Sequence, residues 1–193
     1  MKKIILASTS PRRKEILKNI GVDFEIIGSD YEEDMTLNMK PSELAKFLSL
    51  GKAKSVAKKL KNQDCIIIAA DTFIVSEHHI LGKPKTKQTA RQTLQKISNK
   101  TIEAITGYTI IDTESQKNIS DAVNTKIVMK KITDEEIDLY LESDEALDKA
   151  GGFGIQGKGA LFVKEIHGDY FNIIGLPIFS IAQSLRQFDI SLL

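Results

Sequence analysis

The run Cys65-Ile66-Ile67-Ile68-Ala69-Ala70 carries no polar side chain and then meets Asp71-Thr72. Neighbouring side chains of an extended segment point to opposite faces, so a strand of this composition must be covered on both. The run therefore reads as a buried strand of an α/β fold, with Phe73 to Val75 continuing the extended path after a bend. A carboxylate at the carboxyl end of a buried strand commonly faces the crevice where open α/β sheets take their ligands. There Asp71 could hold a divalent ion or activate a water. As an alternative, it caps a turn through Thr72.

The elements around this strand follow from capping signals and periodicity. Ile4 to Ala7 reads as a short buried strand. Ser10-Pro11 supplies an N-cap residue and a proline at the first position of a helix that runs to about Ile20 and stops at Gly21. Ile16, Leu17 and Ile20 share one face of it. Val22 to Ile27 reads as a strand, Ser29 to Lys40 as an acidic irregular segment, and Pro41 to about Leu60 as a second helix burying Ala45, Leu48, Ala53, Val56 and Ala57. After the loop Gly82-Lys83-Pro84, a third helix spans about Thr86 to Ser98. Thr101 to Asp112 and Ile119 to Lys131 form an expected antiparallel hairpin, which makes the sheet mixed. Thr133-Asp134-Glu135-Glu136 has capping-box spacing and opens a helix to about Leu141. Glycines at 151, 152, 154, 157 and 159 then permit tight backbone approaches. A strand from Ala160 to Ile166 follows, and a last helix after Gly175-Leu176-Pro177 turns Ile181, Ala182, Leu185 and Phe188 inward. At 193 residues and 41% hydrophobic content, with no repeat or linker, residues 1–193 are expected to form one domain.

Lys and Arg number 27 against 26 Asp and Glu, so no global field favours a nucleic acid polymer or a membrane surface, and any anion site must be local. No stretch approaches the ~20 apolar residues of a membrane helix. The apolar start of the chain is too short for a signal-peptide core, so a cytoplasmic location is expected. The single cysteine, Cys65, can form no disulfide within the chain. His78, His79 and His167 match no metal-ligand spacing. The glycine-rich segment fits neither a Walker A loop nor a dinucleotide fingerprint, and no Gly-x-Ser-x-Gly elbow occurs.

Ser8-Thr9-Ser10-Pro11-Arg12-Arg13 is the sharpest local anomaly. Two arginines in the first turn of a helix oppose its dipole, unless an anion binds there or solvent screens them. Hydroxyls, free backbone N–H groups and guanidinium forks together suit phosphate oxygens. Lys52 and Lys83 could neutralise phosphate charge or serve only as exposed, solubilising residues. The Gln156 amide could read a base edge, since it both donates and accepts, or simply lie on the surface. Taken alone, the acidic loop around Glu33 reads as solvated charge.

In chain order these pieces resemble the Maf family, nucleoside triphosphate pyrophosphatases also known as septum-formation-inhibitor-like proteins. The resemblance rests on Leu6 to Arg13, Ser29-Asp30-Tyr31-Glu32-Glu33, Lys52-Ala53, Ala70-Asp71-Thr72 and Leu81-Gly82-Lys83-Pro84. It continues through Thr106-Gly107, Asp148-Lys149-Ala150-Gly151, Gly154-Ile155-Gln156-Gly157, Gly168-Asp169-Tyr170 and Gly175-Leu176-Pro177. It implies an elongated mixed sheet flanked by helices, like that of the inosine triphosphate pyrophosphatases, with a nucleotide cleft between two lobes and homodimers frequent. By motif matching, Asp71 stands at the family's proton acceptor, and Arg12, Thr72 and Gln156 at positions tied to substrate choice. Ser8, Arg13, Lys52 and Lys83 match the phosphate site, and Glu33 with Asp71 the metal site, for magnesium or manganese. Asp-Lys-Ala-Gly followed by Gly-Ile-Gln-Gly resembles the subgroup that cleaves dTTP and UTP to the monophosphate and pyrophosphate. The chain departs from the common pattern at Asn99, Ile102 and Ala104, which puts local strand packing in question. A rival expectation is a nucleotide-sensing or division-regulating binding protein that does not hydrolyse its ligand. A second is an enzyme of the same fold acting on inosine or methylated nucleotides.

Overall fold

In the computed structural model, which describes residues 2–60 and 63–193 apart from the side chain of Asp148, the apolar run forms the middle of a seven-stranded mixed sheet. The strands are β1 (Lys3–Leu6), β2 (Glu25–Ile26), β3 (Cys65–Ser76), β4 (His79–Leu81), β5 (Thr101–Asp112), β6 (Asn118–Met129) and β7 (Val163–His167). Their order is β2-β1-β3-β5-β6-β7, with β4 paired to β3. β1 is parallel to β2 and β3, and the remaining pairs are antiparallel. The helices are α1 (Pro11–Asn19), α2 (Pro41–Lys59), α3 (Lys87–Ile97), α4 (Asp134–Leu141), α5 (Tyr170–Ile174) and α6 (Ile178–Leu185). The expected mixed sheet flanked by helices is the observed one. Among the described residues, no helix is long and apolar enough to cross a membrane.

The two faces of the apolar run feed two cores, as alternation requires. Ile66, Ile68 and Ala70 pack with Leu17 of α1 and with Ile181 and Leu185 of α6. Cys65, Ile67 and Ala69 pack with Ala53 and Val56 of α2. Towards the other end of the long strands, a third core joins Ile74, Ile102 and Ile127 to Leu94, Tyr140 and Phe153. α2 lies so close to the sheet that a Cβ on Gly107 would overlap the backbone of Ala45 and Lys46.

One expectation needs correction. β3 does not bend at Asp71-Thr72; it stays in register with β5 from Ile66↔Asp112 to Val75↔Glu103, so Asp71 is a mid-strand residue. The strand need not break because both polar side chains find partners within the fold, Lys52 for Asp71 and Thr106 for Thr72. The crevice argument survives in another form. β1 pairs with β3 only as far as Leu6↔Ile68, and the chain then leaves for α1, opening the sheet beside Asp71.

Other boundaries shift for local reasons. Glu77 and His78 both adopt positive φ, giving the two-residue turn that joins β3 to β4. The strand expected over Ala160–Ile166 begins later, because Lys158–Phe162 winds into a 3-10 turn that buries Phe162. Ser10 occupies the N-cap of α1, but its side chain makes no capping bond, and Ile20 and Ala57 are less buried than their periodicity implies. The α4 capping box forms as expected between Thr133 and Glu136. Asn99 takes a left-handed φ of 58°, a conformation asparagine tolerates better than most residues, while Ile102 and Ala104 are fully buried. The departures from the family pattern leave this packing intact.

Candidate active site

β1 delivers the chain to the mouth of the cleft, where Ser8, Thr9 and Ser10 turn it into α1. Arg12 and Arg13 then face the same space as Asp71 and Thr72 of β3 and Lys52 of α2. Glu33 enters from the acidic segment, Lys83 from the loop after β4, and Gln156 from the glycine-rich segment. All nine residues singled out from the sequence line one cleft of about 1090 Å³.

At its base lies an ion-pair cluster. Lys52 Nζ donates to Asp71 Oδ1 in a very short contact and sits 2.8 Å from Glu33 Oε1. Tyr31 helps hold the Glu33 segment in place, its ring occupying the space a Cβ on Gly51 would take. Asp71 is only 7% exposed. Burial pushes its carboxyl pKa above the ordinary carboxylate value; Lys52 and Arg13 pull the other way, and Glu33 adds to the rise. The result is a desolvated carboxylate whose one strong partner is a lysine.

Arg13 plays a framework part. Its Nε donates to the Gly175 carbonyl at 2.7 Å, Nη1 to Ser8 Oγ at 3.1 Å and Nη2 to Thr72 Oγ1 at 3.1 Å, which uses three of the five N–H donors of a guanidinium. Burial lowers its pKa, with Asp71 opposing, yet an arginine remains charged at any ordinary pH. Thr72 Oγ1 lies 3.0 Å from Thr106 Oγ1, Thr106 donates to the Asn172 carbonyl at 2.9 Å, and Asn172 Nδ2 donates to the Ala104 carbonyl at 2.8 Å. α1, β3, β5 and α5 are thereby tied together behind the cleft. The helix-dipole anomaly of the two arginines is resolved in part from within the protein, since Arg13 is turned back into the fold.

The chain also brings in residues that sequence reasoning passed over. Glu145 and Lys149 line the cleft, and Thr106 and Asn172 support it. Thr106 and Lys149 stood within quoted motifs but were given no role, whereas Asn172 is a single polar residue between Phe171 and Ile173, and Glu145 lies in an acidic stretch that looks like solvated charge.

Among the described residues, the group of three carboxylates close enough together to share an ion lies outside the cleft. Asp64, Asp112 and Glu114 each offer an oxygen within 4.8 Å of the others, at the far end of β3, and could together hold an ion. Lys2 Nζ stands among them at 2.9, 2.9 and 2.7 Å and offsets part of their charge. Within the cleft, Glu33 and Asp71 converge on one cationic point, Lys52 Nζ.

The chain is 49% identical to the dTTP/UTP pyrophosphatase of Alkaliphilus oremlandii over all of both chains. It is 49% identical to that of Methanococcoides burtonii, over all of this chain and 98% of the relative. With the dTTP/UTP pyrophosphatase of Bacillus anthracis it shares 47% identity over 98% of this chain and 97% of the relative. Among solved structures, the Staphylococcus aureus Ham1 protein overlaps with a TM-score of 0.45 at 17% identity, covering 66% of this chain and 72% of that one, too little to bear on the fold. The profile of the family described as Maf-like protein spans residues 3–188, and the chain belongs to that family.

Proposed function

We propose that this cleft hydrolyses nucleoside triphosphates, dTTP and UTP foremost, to the nucleoside monophosphate and pyrophosphate. The observation that carries the reading is Asp71: a buried carboxylate of raised pKa, set against Lys52 and Arg13 in a cleft otherwise rich in phosphate-binding groups. The full-length similarity to relatives named dTTP/UTP pyrophosphatase supports the substrate.

In this reading Asp71, ionised and oriented by Lys52, accepts a proton from the attacking water. The water oxygen bonds to the α-phosphorus, the bond from that phosphorus to the bridging oxygen breaks, and pyrophosphate leaves with the electron pair. Arg12, Lys52 and Lys83 offset the charge that builds on the phosphate oxygens, and Ser8 donates to one of them. Arg13 holds Ser8 and Thr72 at the positions they need. Thr72 and Gln156 contact the nucleoside.

A divalent ion would suit the same two carboxylates once the triphosphate draws the Lys52 ammonium away from them. Two carboxylate oxygens, from Glu33 and Asp71, point at one cationic centre, and a magnesium or manganese ion is commonly held by one or two carboxylates with phosphates and water completing its shell. When bound, it neutralises charge on the triphosphate and polarises the phosphoryl group.

The test is pyrophosphate release from dTTP, UTP, CTP, dGTP, ITP and 7-methyl-GTP, with and without magnesium or manganese. Metal-dependent turnover favouring dTTP and UTP is expected. Asp71→Asn should lower kcat by a factor on the order of 10²–10⁴ without loss of the fold, because Lys52 keeps Glu33 as its partner. Full activity in a folded Asp71→Asn protein would remove Asp71 as the base, and triphosphate that is bound but never cleaved would make the cleft a binding site.

A further inference from the structure

Glu145 is unusual among the cleft residues because its carboxylate is occupied by backbone. Oε1 accepts from the Gly159 N–H at 3.2 Å and from the Tyr140 hydroxyl at 3.0 Å, and Oε2 accepts from the Lys158 N–H at 3.1 Å. The Tyr140 hydroxyl in turn accepts from the Gly154 N–H at 3.2 Å. Tyr140 therefore holds the entry of the segment 154–159, and Glu145 its exit. Between these two anchors the Gly157 N–H donates to the Gly154 carbonyl at 3.2 Å, closing a turn whose two corner residues are Ile155 and Gln156.

The glycines of this segment are explained by the same carboxylate. A Cβ on Gly154 would lie 2.6 Å from Glu145 Oε1, and one on Gly157 2.6 Å from Glu145 Cδ. A Cβ on Gly159 would lie 2.6 Å from the Gly154 nitrogen, because the segment folds back on itself. Gly154 and Gly157 thus make room for a half-buried anchor, and Gly159 for the return of the chain. An anion met by several oriented N–H and O–H donors makes charge-assisted bonds of fixed direction, and it holds the turn to the wall that also bears Phe153.

We propose that Glu145, together with Tyr140, is a positioning residue for substrate choice: it fixes the 154–157 turn so that the Gln156 amide meets the nucleobase at one height and angle. It acts through Gln156 and has no part in the chemistry at phosphorus. The proposal rests on the nucleotide reading of the cleft given above. Loss of the clamp leaves Asp71, Lys52 and Glu33 unmoved, since they stand on β3, α2 and the acidic segment. The effect therefore falls on KM and on discrimination between bases, and kcat for a correctly bound substrate is spared.

The experiment compares wild type, Glu145→Gln and Tyr140→Phe in two measurements. The first is steady-state hydrolysis of dTTP, UTP and dGTP across pH. Glu145→Gln turns an amide N–H₂ towards backbone donors, and the ratio of kcat/KM for dTTP over dGTP is expected to fall about tenfold, through KM, as for a lost charge-assisted hydrogen bond. The acidic limb of the pH profile should stay in place, and Tyr140→Phe should show a smaller change in the same direction. A uniform loss of kcat for every triphosphate, or an unchanged ratio, would overturn the proposal. The second measurement is hydrogen–deuterium exchange at the amides of 154–159 in the absence of nucleotide. Faster exchange confined to this segment in both variants supports the clamp, and unchanged exchange overturns it. Should wild type cleave no triphosphate, the functional reading fails while the exchange data still decide whether Glu145 holds the turn.

Discussion

At Asp71 two opposing influences meet, and their balance has a consequence that can be measured. Burial raises its pKa more than Lys52 and Arg13 lower it. A general base must be ionised, so the acidic limb of kcat/KM is expected above the ordinary aspartate range, near ~3.9. Lys52→Gln removes the largest opposing influence and should move that limb further up; a limb that does not move would show that it reports another group. The stability sign runs the other way. A carboxyl with a raised folded pKa contributes stability below its unfolded pKa and loses it as pH rises through the folded value, so Asp71→Asn should gain in thermal stability relative to wild type over that rise. Legibility at this scale was uneven. Asp71 and the two arginines stood out because each breaks a local rule, a charge at the end of an apolar run or a cation at a helix start. Lys83, Gln156 and Glu33 have no local signature, because an exposed lysine, glutamine or glutamate is ordinary on any surface, and they were legible only through resemblance. Glu145 and Asn172 were illegible on either count: their partners are backbone groups and side chains distant in sequence, which no spacing encodes.

Elements were legible where one signal dominated. The β5–β6 hairpin and the α4 capping box are local patterns, and both form as read. The turn Glu77-His78 was missed because its residues carry none of the usual Asn-Gly chemistry for positive φ, and α5 because five residues are too few for a periodicity. The contact of α2 with β5 was equally hidden, although Thr106-Gly107 was among the quoted motifs: a glycine facing a helix backbone reads the same as a glycine in any strand. Gly107→Ala tests that contact. The added methyl would meet the backbone of Ala45 and Lys46, which cannot rotate away, so α2 must lift from the sheet. Such overpacking costs about 1–3 kcal/mol or more. Since α2 carries Lys52, urea unfolding should show the loss of stability and the pyrophosphate assay a loss of turnover together. Stability reduced with activity intact would mean that the helix adjusts without moving Lys52.

On the scale of the whole molecule, the question is whether the two ends around the cleft are separate cooperative units. β3, β5 and β6 each run 12 residues, about 40 Å at the usual rise per residue. They pass beneath the core that includes Leu17, Ile181 and Phe188 and continue into the core that includes Leu94, Tyr140 and Phe162. Unfolding one end alone would leave the cut strands with unpaired N–H and C=O groups at the margin of the other, at about 1–3 kcal/mol for each one buried without a partner. That cost couples the ends, and we expect one domain with a single unfolding transition. The chain has no tryptophan, so one introduced at each end is a clean reporter. Phe188→Trp reads the core at the α1 and α6 end, and Phe162→Trp the core at the α3 and α4 end. In urea each fluorescence curve should overlay the far-UV circular dichroism of the same variant, with equal slopes in the two variants. If the Phe162→Trp signal were lost at lower urea than the dichroism while Phe188→Trp tracked it, the end bearing α3 and α4 would be a lobe that opens on its own, and the wall holding Gln156 would be free to move against Asp71.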